Sequence, residues 1–171
     1  HNLISSRIVP ETIVDAGATP VRTRVGHSLI KAEMARTNAV FGGEHSAHYY
    51  FRDFYGADNG MLAALHVLAQ LGASDESMSS LAGRFTPYHA SGEINSTVHD
   101  VPAAYARIVE AFAHEGALDD LDGLFLTAHD GTWWLSVRPS NTEPLLRLNV
   151  EAEDAATMEH IRDAALAIIR A

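Results

Sequence analysis

Asp130-Gly131 constrains this chain more than any other two residues. The pair separates two apolar runs, Leu124-Phe125-Leu126-Thr127-Ala128 and Thr132-Trp133-Trp134-Leu135-Ser136-Val137. Asp-Gly tolerates the positive φ that a tight turn needs, so the two runs read as the strands of one hairpin. A hairpin commits its neighbours to antiparallel pairing. A third strand is expected over Leu145 to Val150. Met158, Ile161, Ala165, Ile168 and Ile169 recur at helical spacing and mark one face of a closing helix. Upstream, Asp100-Val101-Pro102 has the form of a helix start, an N-cap with proline in the first turn. Val101, Tyr105, Ile108, Val109 and Phe112 share one face of that helix, and Gly116 is placed as its stop. Phe85 to Val98 carries strand character. Trp133 and Trp134 point to opposite faces of their strand, which predicts one in the core and the other partly exposed. The second half of the chain is therefore expected to be α+β with an antiparallel sheet.

The first half alternates differently. Ser5 or Ser6 caps a helix over roughly Arg7 to Ala16, closed by Gly17. Thr19 to Val25 alternates and is rich in β-branched residues, so it reads as a strand. Gly26-His27-Ser28 is a turn into a helix through Leu29, Ile30, Met34 and Arg36. Ala39-Val40-Phe41 is a short strand that runs into the loop Gly42 to His48, and Tyr49-Tyr50-Phe51 continues as strand. Asp58 or Asn59 caps a helix through Met61, Leu62, Leu65, Leu68 and Leu71, ended by Gly72. That helix is apolar on most of its circumference, which predicts burial. Helices alternating with short, parallel-type strands make an α/β unit. Composition shifts at Ala73-Ser74-Asp75-Glu76-Ser77, the expected start of a linker that carries a short helix near Met78 to Gly83.

Composition narrows the function. The 171 residues suffice for one large domain or two small ones, and 47% hydrophobic with 20% charged residues is a globular balance. With no cysteine, a disulfide framework, a thiolate metal site and a cysteine nucleophile are excluded. A net charge of -10 argues against a nucleic-acid surface. No apolar run is as long as a membrane span and no signal peptide is recognised, so a cytoplasmic protein without membrane association is expected.

Three constellations carry chemistry. The first is Arg138-Pro139-Ser140-Asn141-Thr142-Glu143-Pro144. Two prolines stiffen a run of small polar side chains, and Arg138 supplies a planar fork of donors suited to phosphate or carboxylate. It reads either as an anion site or as an ordinary polar turn. The second is Glu44-His45-Ser46-Ala47-His48, with a carboxylate, a hydroxyl and two imidazoles close together after Gly42-Gly43. It reads either as a ligand-contacting loop at a strand end or as a solvated turn. His45 and His48 lack an evident third ligand for zinc. The third is Gly26-His27-Ser28 with Lys31 one helical turn on, either an anion-favouring helix start or a surface histidine beside a cap. Asp53, Asp58, Asp119, Asp120 and Asp122 read as caps and turns; the last three lack the spacing of a calcium loop.

Taken together, these motifs resemble the α-D-phosphohexomutases, in the phosphomannomutase/phosphoglucomutase branch. Gly43-Glu44-His45-Ser46-Ala47-His48-Tyr49-Tyr50-Phe51 looks like that family's sugar-binding loop in domain III. Val25-Gly26-His27-Ser28-Leu29-Ile30-Lys31 looks like the preceding loop of the same domain. Arg138 to Pro144 looks like the phosphate-binding loop of domain IV. Order and spacing agree over essentially the whole chain. The resemblance implies the C-terminal part of such an enzyme: residues 1–73 as part of the three-layer α/β domain III, 74–84 as linker, and 85–171 as the smaller α+β domain IV.

The same resemblance implies a reaction. A phosphoserine hands its phosphoryl group to a hexose phosphate, giving a hexose 1,6-bisphosphate intermediate that also serves as activator. The bisphosphate reorients and returns a phosphate from its other end. Glu44 and Ser46 would hold sugar hydroxyls. His27, Lys31 and His48 would line the site, the two histidines as proton carriers or phosphate contacts. Arg138, Ser140, Asn141 and Thr142 would grip the phosphate that does not react. Mannose and glucose 1- and 6-phosphates are the expected substrates. The alternatives are a phosphoglucosamine mutase and a non-catalytic phosphosugar-binding or interaction module. Ala47 stands where many relatives have Gly. The phosphoserine segment and the aspartate-rich Mg2+ loop have no counterpart here. Magnesium is therefore expected to bind outside this chain, no metal ligand is assigned within it, and the chain alone is expected to be inactive without the N-terminal domains. An exposed strand edge would allow oligomers.

Overall fold

The computed structural model describes residues 1–140, 143 and 145–171. They form two compact units, His1–Pro87 and Tyr88–Ala171. No helix among the described residues is long and apolar enough to cross a membrane.

In the first unit, helix α1 (Ile8–Asp15) starts where the Ser6 hydroxyl accepts the Ile8 N–H at 3.3 Å. It stops before Gly17, whose φ of 74° turns the chain out of the helix. Helix α2 (His27–Thr37) begins directly at Gly26 and places Ile30 and Met34 on its buried face. They pack against Tyr50, which is fully buried in the adjoining sheet. That sheet joins β1 (Phe41–Gly43), β2 (Tyr49–Phe51) and β3 (Ala57–Asp58) in order, all antiparallel. The parallel pairing expected here is confined to one rung, Asn2 with Thr23. Thr19 to Val25 accordingly forms no strand. Its ladder bonds are those of Thr23, which accepts from Leu3 and donates to His1 at 2.9 Å each, while Pro20 has no N–H to offer.

Helix α3 (Gly60–Gly72) is capped as expected, with Asn59 Oδ1 accepting the Leu62 N–H at 2.9 Å. Its burial is not as expected. No residue of α3 is buried, and Met61, Leu65 and Leu68 are 72%, 54% and 57% exposed. An all-round apolar helix needs cover on several sides. The small aromatic sheet beside it provides only a partial wall. Phe41 and Phe51 line an open groove of about 830 Å3 together with Ala63, Val67, Leu68 and His66, the last stacked on Phe51 at 5.5 Å. Helix α4 (Met78–Gly83) follows within the same unit, inside the stretch read as a linker.

The second unit contains β4 (His89–Ala90), β5 (Ile94–Thr97), α5 (Val101–Phe112), β6 (Gly116–Asp119), β7 (Leu124–Ala128), β8 (Trp133–Pro139), β9 (Leu145–Ala152) and α6 (Ala155–Ile169). The strands make one antiparallel sheet in the order β4-β9-β8-β7-β6, with β5 also on β9. Asp130-Gly131 does turn β7 into β8, and Asp130 Oδ1 accepts from the Thr132 N–H and hydroxyl at 3.0 and 2.8 Å. Asp100 caps α5 through the Ala103 N–H at 2.9 Å. Asp154 caps α6 through that of Thr157, also at 2.9 Å. One side of the sheet packs its alternate residues, Leu126, Leu135, Val137, Leu146, Leu148 and Val150 among them, on Ile108 and Phe112 of α5 and Ile161, Ala165 and Ile169 of α6.

Two expectations fail here for physical reasons. Gly116 does not stop α5, which ends at Phe112; it opens β6 instead. A Cβ at Gly116 would overlap the Thr127 carbonyl of β7, so only glycine lets the strands close at this rung. Trp134 is as buried as Trp133 (5% and 6% exposed) although they face opposite ways. Trp133 meets Phe112 edge-on at 6.0 Å, whereas Trp134 stacks on Phe125 at 5.1 Å and donates its indole N–H to Glu151 Oε1 at 2.9 Å. A neighbouring ring and a carboxylate acceptor let the second indole be buried with its polar atom satisfied.

Candidate functional site

In the first unit the histidine-rich segment is a hairpin turn. Gly42 and Gly43, expected in the loop, complete β1, and the turn narrows to Glu44–Ala47. Glu44 N–H donates to the His48 carbonyl and Ala47 N–H to the Glu44 carbonyl, both at 3.0 Å. Glu44 is buried. Its Oε1 accepts the Gly26 N–H at 3.1 Å and its Oε2 accepts the Tyr50 hydroxyl at 2.6 Å. Burial and this bond to a carboxylate hold the Tyr50 phenol strongly on the protonated side. One carboxylate thus ties the start of α2 to the hairpin and gathers the third constellation to the second: His27 opens α2, and His27 and Lys31 are both exposed. Ser46, His45 and His48 are exposed on the turn as well. Ala47 has φ of 64°, a left-handed conformation that side chains with a Cβ rarely adopt.

His48 is not a free imidazole. Its Nδ1 lies 2.7 Å from Asp58 Oδ2, and Asp58 Oδ1 accepts the Tyr49 N–H at 2.8 Å. The hydrogen bond with Asp58 raises the His48 pKa above its ordinary value, and the same bond lowers that of Asp58.

In the second unit Arg138 lies near the end of β8. Its side chain is buried, and the β8–β9 register sets it directly opposite Arg147. A third residue stands between the guanidinium groups. Glu93 Oε1 accepts from Arg147 Nη1 at 3.0 Å, and Glu93 Oε2 lies 3.5 Å from Arg138 Nη2. Asp122 Oδ2 is 4.0 Å from Arg138 Nη1. Asp122 reaches this point because Gly123 has φ of 76° and passes so close to β8 that a Cβ would sit 2.8 Å from the Val137 carbonyl oxygen. Arg147 Nη2 also donates to the Ser140 hydroxyl at 3.3 Å, and the Ser140 N–H closes on the Leu145 carbonyl at 2.8 Å. Among the described residues, the buried Nε groups of both arginines have no hydrogen-bond partner. Tyr105 donates its hydroxyl to the Val137 carbonyl at 3.0 Å, and burial pushes its pKa up to about 12. Asn141 and Thr142, the remaining members of the expected phosphate loop, lie outside the described residues.

Residues 1–88 match the model of the phosphoglucomutase/phosphomannomutase alpha/beta/alpha domain III, and residues 93–168 match that of the phosphoglucomutase/phosphomannomutase C-terminal domain. The chain belongs to the phosphoglucomutase/phosphomannomutase family. It is 45% identical over 152 residues to the phosphohexose mutases of Xanthomonas campestris pv. campestris, a match covering 87% of this chain and 34% of that protein. It is 40% identical over 159 residues to the phosphomannomutase of Methanocaldococcus jannaschii, covering 93% and 35%. The chain thus spans about a third of the length of these relatives. The crystal structure of a phosphoglucomutase/phosphomannomutase family protein from Burkholderia thailandensis superposes with a TM-score of 0.81 at 26% identity, over 96% of this chain and 36% of that one.

For this phosphoglucomutase/phosphomannomutase family chain, sequence reasoning missed Arg147, Glu93 and the link between Asp58 and His48. Arg147 sits on the strand after the loop, and only its register opposite Arg138 makes it part of the site. The available signal was a cation on a strand otherwise alternating apolar residues inward. The sequence marks Asp58 as a cap or turn residue, and the bond its carboxylate accepts from Tyr49 is of that kind.

Proposed function

We propose that this chain is the substrate-holding part of a phosphohexomutase that interconverts hexose 1- and 6-phosphates, mannose and glucose phosphates first among them. The observation that carries the reading is the Arg138–Arg147 pair with a carboxylate between its guanidinium groups. Two planar forks converging on one pair of oxygens form a seat for a dianion, and a phosphate offers more charge and more acceptors than Glu93 does. Arg138, Arg147 and Ser140, with Asn141 and Thr142, hold the phosphate that does not react. In the first unit Glu44 keeps acceptor capacity beyond its bonds to Gly26 and Tyr50, since a carboxylate has about four lone-pair sites. Those sites, with the Ser46 hydroxyl, orient the sugar. His27, Lys31 and His48 serve the phosphate and proton side of the same site.

The contribution of these residues is positioning, which supplies much of the acceleration in phosphoryl transfer. Magnesium would neutralise charge on the transferring group. Among the described residues no three His, Asp or Glu side chains gather to hold it, and none of the roles above depends on it. The phosphoryl donor would be a serine outside these 171 residues. The test is a coupled assay of the full-length protein on mannose, glucose and glucosamine 1-phosphates beside the same assay on the 171-residue chain. Turnover of mannose or glucose 1-phosphate by the full-length protein and none by the chain is the expected result. Preference for the glucosamine compound would reassign the sugar, and no turnover of any would overturn the reading.

A further inference from the structure

Asp58 is engaged on both carboxylate oxygens. Oδ1 accepts the Tyr49 N–H at 2.8 Å and Oδ2 meets His48 Nδ1 at 2.7 Å. The residue is pinned by the strands themselves: Asp58 pairs with Tyr50 between β3 and β2, and the next N–H, of Asn59, donates to the Tyr49 carbonyl at 2.9 Å. Asn59 is in turn the cap of α3. The carboxylate therefore has a fixed place and a fixed direction.

A carboxylate accepting two N–H groups is held ionised, as the lowered Asp58 pKa reflects. An ionised carboxylate has no proton to give, so the hydrogen in the short contact belongs to His48 Nδ1. Nδ1 keeps that hydrogen whether the ring is neutral or cationic. The proton that comes and goes is then the one on Nε2, at the other edge of the ring. The charged groups around the ring are Asp58 on β3 and Glu44 at the end of β1, while His27 at the start of α2 faces Asp58. Both acids favour the imidazolium.

We infer that Asp58 is a positioning residue: it locks His48 in the Nδ1–H tautomer and makes Nε2 the atom through which this site exchanges protons with its substrate. The substrate clause rests on the sugar-phosphate reading given above; the tautomer does not. Because the folded His48 pKa is raised and that of Asp58 lowered, the pair is complete between them. Its charge–charge attraction is lost on the alkaline side as pH rises through the raised imidazole pKa, which leaves the neutral Nδ1–H bonded to Asp58, and the ion pair is lost on the acid side as pH falls through the lowered carboxyl pKa.

The experiment has two arms. In the first, the 15N-labelled 171-residue chain and its Asp58→Asn variant are titrated from about pH 5 to about pH 9, and the His48 ring nitrogens are followed by two-bond proton–nitrogen correlation. The native chain is expected to show neutral His48 as the Nδ1–H tautomer. In the variant the amide oxygen retains the Tyr49 N–H and the amide NH2 faces Nδ1, so the ring switches to the Nε2–H tautomer and its midpoint falls. The Tyr49 amide signal staying in place shows that the hairpin is intact. In the second arm, Asp58→Asn in the full-length protein lowers kcat about ten- to a hundredfold with little change in KM, a large part of what a positioned acid–base group supplies (~10²–10⁴).

The same tautomer and midpoint in both chains would overturn the inference. A switched tautomer with unchanged kcat would overturn the positioning role while leaving the mutase reading intact. A native full-length protein that turns over no hexose phosphate would overturn the mutase reading, and the first arm would still decide whether Asp58 sets the state of His48.

Discussion

Arg138 stands directly opposite Arg147 across the β8–β9 ladder, so the register of two strands brings two guanidinium groups to one spot. Like charges placed opposite on a sheet repel unless something lies between them. Replacing Arg147 by Ala should weaken inorganic phosphate binding to the chain by about ten- to a hundredfold, the equivalent of ~1.5–3 kcal/mol for a charge-assisted hydrogen bond. Phosphate titrations followed by amide shifts of Ser140 and Leu145 would measure it. An unchanged affinity would remove Arg147 from the site.

Glu93 occupies the place between the two arginines that a phosphate would take. Glu93→Gln should therefore tighten phosphate binding, by about fivefold, since a half-exposed ion pair is worth ~1 kcal/mol at most. The gain should shrink with added salt. A loss of affinity would mean that Glu93 aligns the arginines more than it competes for them.

Ala47 holds a left-handed backbone, φ 64°, in the turn of the Glu44–His48 hairpin. That conformation costs an L-residue roughly 1–2 kcal/mol, against the ~0.5–1 kcal/mol of extra chain entropy that glycine loses on folding. Ala47→Gly should stabilise the first unit by about 0.5–1 kcal/mol. Amide exchange of Glu44 and Ala47, slower in the variant, would report it.

Gly116→Ala should be among the most damaging single-methyl additions to the second unit. The new Cβ would meet the Thr127 backbone and a Leu126 methyl group, and the backbone cannot retreat without opening the β6–β7 pairing. A loss of about 3 kcal/mol is expected, read from the urea midpoint by circular dichroism.

Leu65→Lys tests the bare face of α3. Leu65 is 54% exposed, so the change should alter stability by no more than about 0.5 kcal/mol. A buried leucine would have lost several times as much, ~2–5 kcal/mol even on shortening to Ala.

Local signals read well in this chain. Asn59, Asp100 and the Asp130-Gly131 turn each place a donor or acceptor within a few residues of its partner, and all three behave as the sequence indicates. Long-range facts did not read. The apolar circumference of α3 tells what the helix would bury against a partner, not whether one is there. Gly116 looks like a helix stop until the Thr127 carbonyl of β7 is seen pressed against it. The site divides in the same way. Glu44, His48 and Arg138 were visible as motif residues, whereas Arg147, Glu93 and the role of Asp58 depend on strand register and on contacts between segments far apart in the chain. No periodicity encodes such contacts.

The adjacent tryptophans have a practical meaning. They are the only two in the chain, they belong to the same unit, and they sit on opposite sides of one strand. Tryptophan emission therefore gives two windows on the second unit, one beside Phe112 and one beside Glu151, and none on the first. Unfolding confined to the hairpin bearing Glu44 and His48 would leave that emission unchanged. A single tryptophan placed at Phe51, beside His66, would supply the missing reporter.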